Sequence, residues 1–136
     1  MRYLLDTNIC IYLINRRNPA LIDRFRQYRT GDIGVSVITV AELEYGVSKS
    51  QHVERNRAAL SAFLLPLEIA PFDERAAFQF GVVRAQLESE GRLIGAMDLL
   101  IAAHALALDA TVVTRNVREF ERVRGLRVEN WFDDLE

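Results

Sequence analysis

The opening residues 1–14, MRYLLDTNICIYLI, set the reading of the whole chain. Arg2 to Leu5 has the apolar character of a short buried strand. Thr7 and Asn8 are good helix caps, and Ile9 to Ile14 continues as an apolar helix. A buried strand that passes directly into a buried helix is the first half of a β-α-β unit. One cap is enough to start a helix, so three cap-type residues in a row leave the carboxylate of Asp6 to spare.

Working outward, the same hand-over from strand to helix recurs. Ala20 to Tyr28 reads as a helix with an apolar face (Leu21, Ile22, Phe25) and a basic one (Arg24, Arg26, Arg29). Gly31 and Gly34 bracket a turn, and Ile33 to Ile38 supplies a second strand rich in β-branched residues. Thr39 to Val47 is expected to be helical, with Thr39 and Glu42 at capping-box spacing. Val53 to Leu65 is a further helix ended by Pro66, and Leu67 to Phe72 a third strand. Asp73 caps a long amphipathic helix that Gly91 closes. Gly95 to Leu108 is apolar almost all round, as a helix at the centre of a domain should be. Thr111 to Thr114 and Leu126 to Glu129 complete the strands. Strands alternating with helices throughout predict an α/β fold, a parallel sheet flanked by helices on both faces, built as a single domain over residues 1–136. In such sheets the ligand crevice lies at the carboxyl ends of the strands, where Asp6 falls, as do Thr114, Arg115 and Asn116.

Composition narrows the class. At 136 residues, 50% hydrophobic and 26% charged, the chain has the size and balance of one globular domain. Its single cysteine, Cys10, cannot pair within the chain and excludes a cysteine-rich zinc site, which fits a reducing cytoplasm. The N-terminal apolar run is too short and too acidic for a signal peptide, and no stretch is apolar for long enough to span a bilayer, so no membrane partner is expected. A net charge of -2 argues against broad polyanion binding. Of the 17 basic residues, however, 16 are arginine, and guanidinium suits bidentate phosphate contacts. A GC-rich genome explains the same bias.

Three acids stand out: Asp6 in LLDTN, Glu42 in TVAELEYG and Asp98 in GAMDLLIAAHA. Each is followed by an apolar segment that must be buried, so folding draws all three towards one rim of the sheet. Carboxylates so gathered repel, and a hard divalent cation relieves them. Structural alternatives exist for each. Asp6 would serve as a helix cap, Glu42 as half of the capping box, and Asp98 as a charge complementing the helix dipole. The dipole explains the sign of Asp98 but not why an ionised group sits beside Leu99, Leu100 and Ile101. A fourth position is open among Thr114, Asn116 and Glu119. His104, mid-helix among alanines and leucines, reads as a core histidine rather than a ligand, and His52 as exposed. Asp133, Asp134 and Glu136 form a short acidic tail. The acids point to a metal-dependent hydrolase, and within that class to a nuclease. A phosphoacceptor receiver module, the rival from another class, needs a lysine after a late strand, which Lys49 cannot supply.

Taken together, LLDTNICIYL, SVITVAELEYG, IGAMDLLIAAHAL and VVTRNVREFERVRGLRVENW resemble the four motifs of the PIN-domain ribonucleases, in particular the VapC toxins of VapBC toxin-antitoxin systems. The resemblance spans essentially the full length. It implies a PIN-like (RNase H-like) fold and endonucleolytic RNA cleavage dependent on Mg2+ or Mn2+, with structured tRNA or rRNA loops as targets. It assigns Asp6, Glu42 and Asp98 as the catalytic acids, Asp6 and Asp98 as direct metal ligands, and Thr7, Asn8 and Thr114 as supporting hydrogen-bonding groups. Arg115 and Arg118 are expected to grip the RNA backbone. Many relatives carry a further Asp near the position where this chain has Asn116, with Glu119 one turn on. A cognate VapB antitoxin and a homodimer are implied as partners, with Tyr12 and Leu13 as candidates for the dimer contact. A nuclease acting on DNA, or in RNA processing, is the alternative.

Overall fold

The computed structural model describes residues 1–132, so the acidic tail at Asp133, Asp134 and Glu136 lies outside the described residues. Five strands, β1 (Tyr3–Leu5), β2 (Ile33–Ser36), β3 (Glu68–Ala70), β4 (Thr111–Val113) and β5 (Val128–Glu129), form one sheet. All neighbours are parallel, in the order β3-β2-β1-β4-β5. The helices are α1 (Thr7–Ile14), α2 (Pro19–Arg26), α3 (Val37–Ser48), α4 (Val53–Leu64), α5 (Glu74–Ser89), α6 (Ala96–Leu108) and α7 (Val117–Phe120).

Alternation along the strands divides the core in two. Tyr3, Leu5, Val35 and Val113 face a cluster with Ile9, Leu13, Leu21, Leu43 and Leu60, which brings α1 to α4 onto one side. Leu4 and Val112 face the other, with Val83 and Leu87 of α5 and Leu99, Ile101, Ala102 and Ala105 of α6. Both faces of the sheet are therefore covered at its centre, which is why β1 runs Tyr3-Leu4-Leu5 fully buried rather than alternating with polar residues.

Several local expectations are revised. Asp6, not Thr7 or Asn8, caps α1, with its Oδ1 accepting from the Ile9 amide at 2.9 Å. The strand β2 stops at Ser36, whose hydroxyl caps α3 by accepting from the Ile38 amide. Because α3 starts at Val37, Thr39 lies buried inside it and the expected Thr39–Glu42 capping box does not form. Asn18, buried, caps α2 ahead of Pro19 at the first helical position, a signal the sequence reading passed over. Leu13 is in the core, so it offers nothing to a homodimer contact, and Tyr12 packs its ring against Phe132. Asp73 does cap α5, its side chain accepting from the Ala76 amide, and Gly91 takes the positive φ of 64° that ends it.

Gly31 turns the chain at φ 99°, but Gly34 lies within β2, paired in register with Glu68. A Cβ there would meet Met1 Cε at 2.5 Å and the Glu68 carbonyl oxygen at 2.7 Å. Backbone of a neighbouring strand cannot retreat as a flexible side chain can. Gly34→Ala is expected to destabilise the fold by about 1–3 kcal/mol through overpacking, seen as a lowered midpoint in urea unfolding.

Candidate active site

β1 is the central strand; its chain continues to β2 and β3 on one side, while β4 and β5 lie on the other. That reversal opens a crevice at the carboxyl ends of β1 and β4. Asp6 is the first residue after β1, and Thr114 the first after β4. They meet across the crevice: Thr114 Oγ1 donates to Asp6 Oδ2 at 2.5 Å and accepts from the Asn116 amide at 2.9 Å. With Ile9 N–H on Oδ1, both carboxylate oxygens of Asp6 are fixed, and each keeps a further lone pair.

Fixing does not make the charge comfortable. Asp6 is 5% exposed, and burial raises its pKa above the usual carboxylate value despite the two donors, with Glu42 adding to the rise. Asp98 lies in the first turn of α6, where the helix dipole favours an anion. Even so its pKa is pushed up to about 6, first by burial and then by Asp6, Glu119 and Glu42. Desolvation and like charge thus outweigh the dipole at this position. Burial and like charge act in the same direction on Asp6 and Asp98, with Glu42 contributing to both.

Glu42, in the second turn of α3, is held from α1 rather than from its own helix. Thr7 Oγ1 donates to Glu42 Oε1 at 2.5 Å and lies 3.3 Å from Thr39 Oγ1. The residues named for a fourth position are linked to one another, Thr114 accepting from the Asn116 amide and Asn116 donating to Glu119. Glu119, on α7, acts on Asp98 both through charge and through a side-chain hydrogen bond, and Asn116 Nδ2 donates to Glu119 Oε2 at 2.8 Å. Asn116 thereby orients Glu119, and its backbone reads the Thr114 hydroxyl. Asn116 precedes α7 as its cap position, and Glu119 lies within the helix. His104 is remote in role; it is buried on α6 with Nδ1 2.7 Å from Ser36 Oγ, and burial lowers its pKa. A satisfied core histidine is expected there from the sequence; it is in the core, but its buried Nε2 has no hydrogen-bond partner among the described residues.

Among the described residues, no three His, Cys, Asp or Glu side chains converge tightly enough to form a complete metal cage. The acids that act on one another here, Asp6, Glu42, Asp98 and Glu119, offer only hard oxygen donors. That chemistry fits a cation such as Mg2+, which binds one or two carboxylates and keeps several of its waters, and it does not fit a closed zinc site. No helix among the described residues is long and apolar enough to cross a membrane.

Comparison with known proteins gives a consistent result. The family described as the PIN domain matches residues 3–126. The protein named Ribonuclease VapC2 of Rickettsia felis is 46% identical over 132 residues, covering 96% of this chain and 98% of its own length. The tRNA(fMet)-specific endonuclease VapC of Shigella flexneri is 41% identical over 131 residues, with coverage of 96% and 98%. Among solved structures, VapBC2 from Rickettsia felis bound to a DNA fragment from its promoter aligns with a TM-score of 0.89 at 45% identity, covering 96% of this chain and 99% of that one. DNA-bound VapBC from Salmonella typhimurium aligns at 0.91 and 40% identity, covering 96% and 98%.

Proposed function

Because the chain belongs to the PIN-domain family, we propose that it is the toxin of a type II toxin-antitoxin pair, an endoribonuclease that works through Asp6, Glu42 and Asp98. The observation that carries the assignment of residues is geometric: Asp6, buried where β1 ends, has both carboxylate oxygens held, by the Ile9 amide and by Thr114 Oγ1, while the next residue, Thr7, holds Glu42. Acids placed so as to perturb one another at the switch point of a parallel sheet mark a functional site rather than a solvated surface.

Asp6 and Asp98 would hold the divalent cation, Mg2+ or Mn2+, with Glu42 and Glu119 reaching it through water. When bound, the ion supplies positive charge at the scissile phosphate and favours ionisation of water. The remaining work belongs to the chain. Asp6 is kept in one orientation by Ile9 and Thr114, so no reorganisation is needed as charge develops on the phosphate oxygens. Glu42, steered by Thr7, is available to accept a hydrogen bond from the attacking water and hold it in line. Water adds to phosphorus as an ester P–O bond breaks; the water's proton passes to a carboxylate, and the departing alkoxide takes a proton from solvent to leave as an alcohol. Thr114→Val would strip Asp6 of one donor and leave the Asn116 amide unpaired. It is expected to lower turnover about 10- to 100-fold, the usual cost of losing a group that orients a metal ligand, in cleavage assays on RNA.

Relatives named as ribonucleases and as a tRNA(fMet)-specific endonuclease favour RNA, and among RNAs a structured one such as a tRNA or rRNA loop. The antitoxin partner is supported by the solved VapBC assemblies and by the surface beside the acids. A groove of about 270 Å3, lined by Ile11, Ile14, Leu43, Val47 and Leu60, ends at Glu42. An apolar segment laid there would cover the site, and its removal in the cytoplasm would free the toxin.

The direct test is to incubate total RNA with the purified chain and Mg2+ and to map new 5′ ends. Discrete ends in a few loops, lost with EDTA and restored by Mg2+ or Mn2+, are expected. Undiminished cutting in chelator would refute metal-dependent catalysis, and cutting of DNA alone would replace the substrate.

A further inference from the structure

Beside Asp6 the crevice widens into a cavity of about 360 Å3 bounded by Asn8, Tyr12, Arg115, Asn116 and Phe132. Its wall is made of flat groups. The Phe132 and Tyr12 rings meet edge to face with centroids 4.7 Å apart. The Arg115 guanidinium lies 4.7 Å from the Phe132 ring centroid, and Arg115 Nη1 donates to Tyr12 Oη at 3.4 Å. Tyr12 comes from α1, Arg115 from the segment after β4 and Phe132 from the segment after β5, so the carboxyl rim of the sheet gathers all three. Here both rings stay half-buried and an exposed arginine is laid against them.

We infer that Tyr12, Arg115 and Phe132 form a stacking subsite for one unpaired RNA base adjacent to the phosphate at Asp6. The inference rests on the endoribonuclease reading above and adds to it the part of the substrate recognised. Aromatic rings and guanidinium planes accept any base whose face is exposed, whereas a base inside a duplex has both faces occupied. The cation has a second use. Asp6 lines the same cavity and sets a negative charge against a polyanion, and the Arg115 guanidinium places a positive one on the opposite side of the balance. The amides of Asn8 and Asn116 at the rim can pair with a base edge. A protein segment fits the apolar groove at Ile11 and Leu43 better than this arginine-faced cavity.

The test uses an RNA oligonucleotide containing a site that the full chain cuts, in intact form and with the nucleotide on either side of the cut made abasic in turn. KM and kcat are measured for the unmodified chain, Phe132→Leu and Arg115→Gln. One abasic position is expected to raise KM roughly tenfold for the unmodified chain, the scale of one base-aromatic stack. Phe132→Leu should raise KM by a similar factor on intact RNA and add nothing on that abasic RNA, with kcat within about threefold throughout. Arg115→Gln, which leaves both rings in place, should show the same non-additivity to a smaller degree and decides the matter if Phe132→Leu fails to fold. Equal losses on intact and abasic RNA would reduce the three residues to a structural lock and overturn the subsite. So would unchanged cleavage accompanied by weakened antitoxin binding, which would give the surface to a protein partner. Absence of any RNA cleavage by the unmodified chain would instead remove the endoribonuclease reading, and the subsite with it.

Discussion

Asp6→Asn is expected to reduce RNA cleavage by roughly 10^2- to 10^3-fold or more, the scale on which loss of one preorganised electrostatic contact slows an enzyme, while leaving the fold intact. The geometry explains both halves. Asparagine keeps an oxygen for the Ile9 amide, so α1 retains its cap, and its amide can donate to Thr114 Oγ1, whose hydroxyl accepts as well as donates. What disappears is the negative charge in a place where burial already disfavours it. The melting temperature should therefore hold or rise, and growth arrest on expression should be relieved. Retained toxicity at equal expression would contradict the assignment of Asp6, and a collapsed fold would mean that its cap role had been underestimated.

Asp98→Asn should abolish cleavage and, at neutral pH, stabilise the protein. The folded pKa of about 6 lies above the ordinary 3.8, so between these values the folded chain binds more protons than the unfolded one. Stability from this group is then greatest below about pH 4, declines as pH rises through 6, and above that its charge is a full penalty. A shift of about two units would amount to about 3 kcal/mol, and partial solvent access reduces it to about 1–2 kcal/mol. Melting curves should show Asp98→Asn several degrees above the unmodified chain at pH 7.5, with the gap closing towards pH 4. Mg2+ should raise the melting temperature of the unmodified chain by binding the native state, and do so much less for the variant. A pH-independent gap would show that the stabilisation comes from packing rather than from the charge.

Much of this was legible in the residues because burial and charge leave plain traces. The run from Tyr3 to Leu5 could only be an internal strand, and its direct passage into α1 put Asp6 at the carboxyl edge. The isolated charge of Asp98 in an apolar helix was visible for the same reason. Less visible were contacts that depend on how far a strand runs before the helix begins. Ending β2 at Ser36 moves the start of α3 ahead of Thr39, so the apparent capping box dissolves and Glu42 is free for Thr7. Local spacing cannot register a partner 35 residues away. The part of Glu119 was hidden similarly, because only the docking of α7 beside α6 brings it to Asp98.

The pairing of β1 with β4 joins Tyr3 to Thr111, and Thr114 closes on Asp6 across 108 positions of chain. During synthesis the first strand therefore emerges long before the neighbour that completes its acidic crevice. The crevice around Asp6 is therefore left unfinished until β4 and the residue after it have left the ribosome.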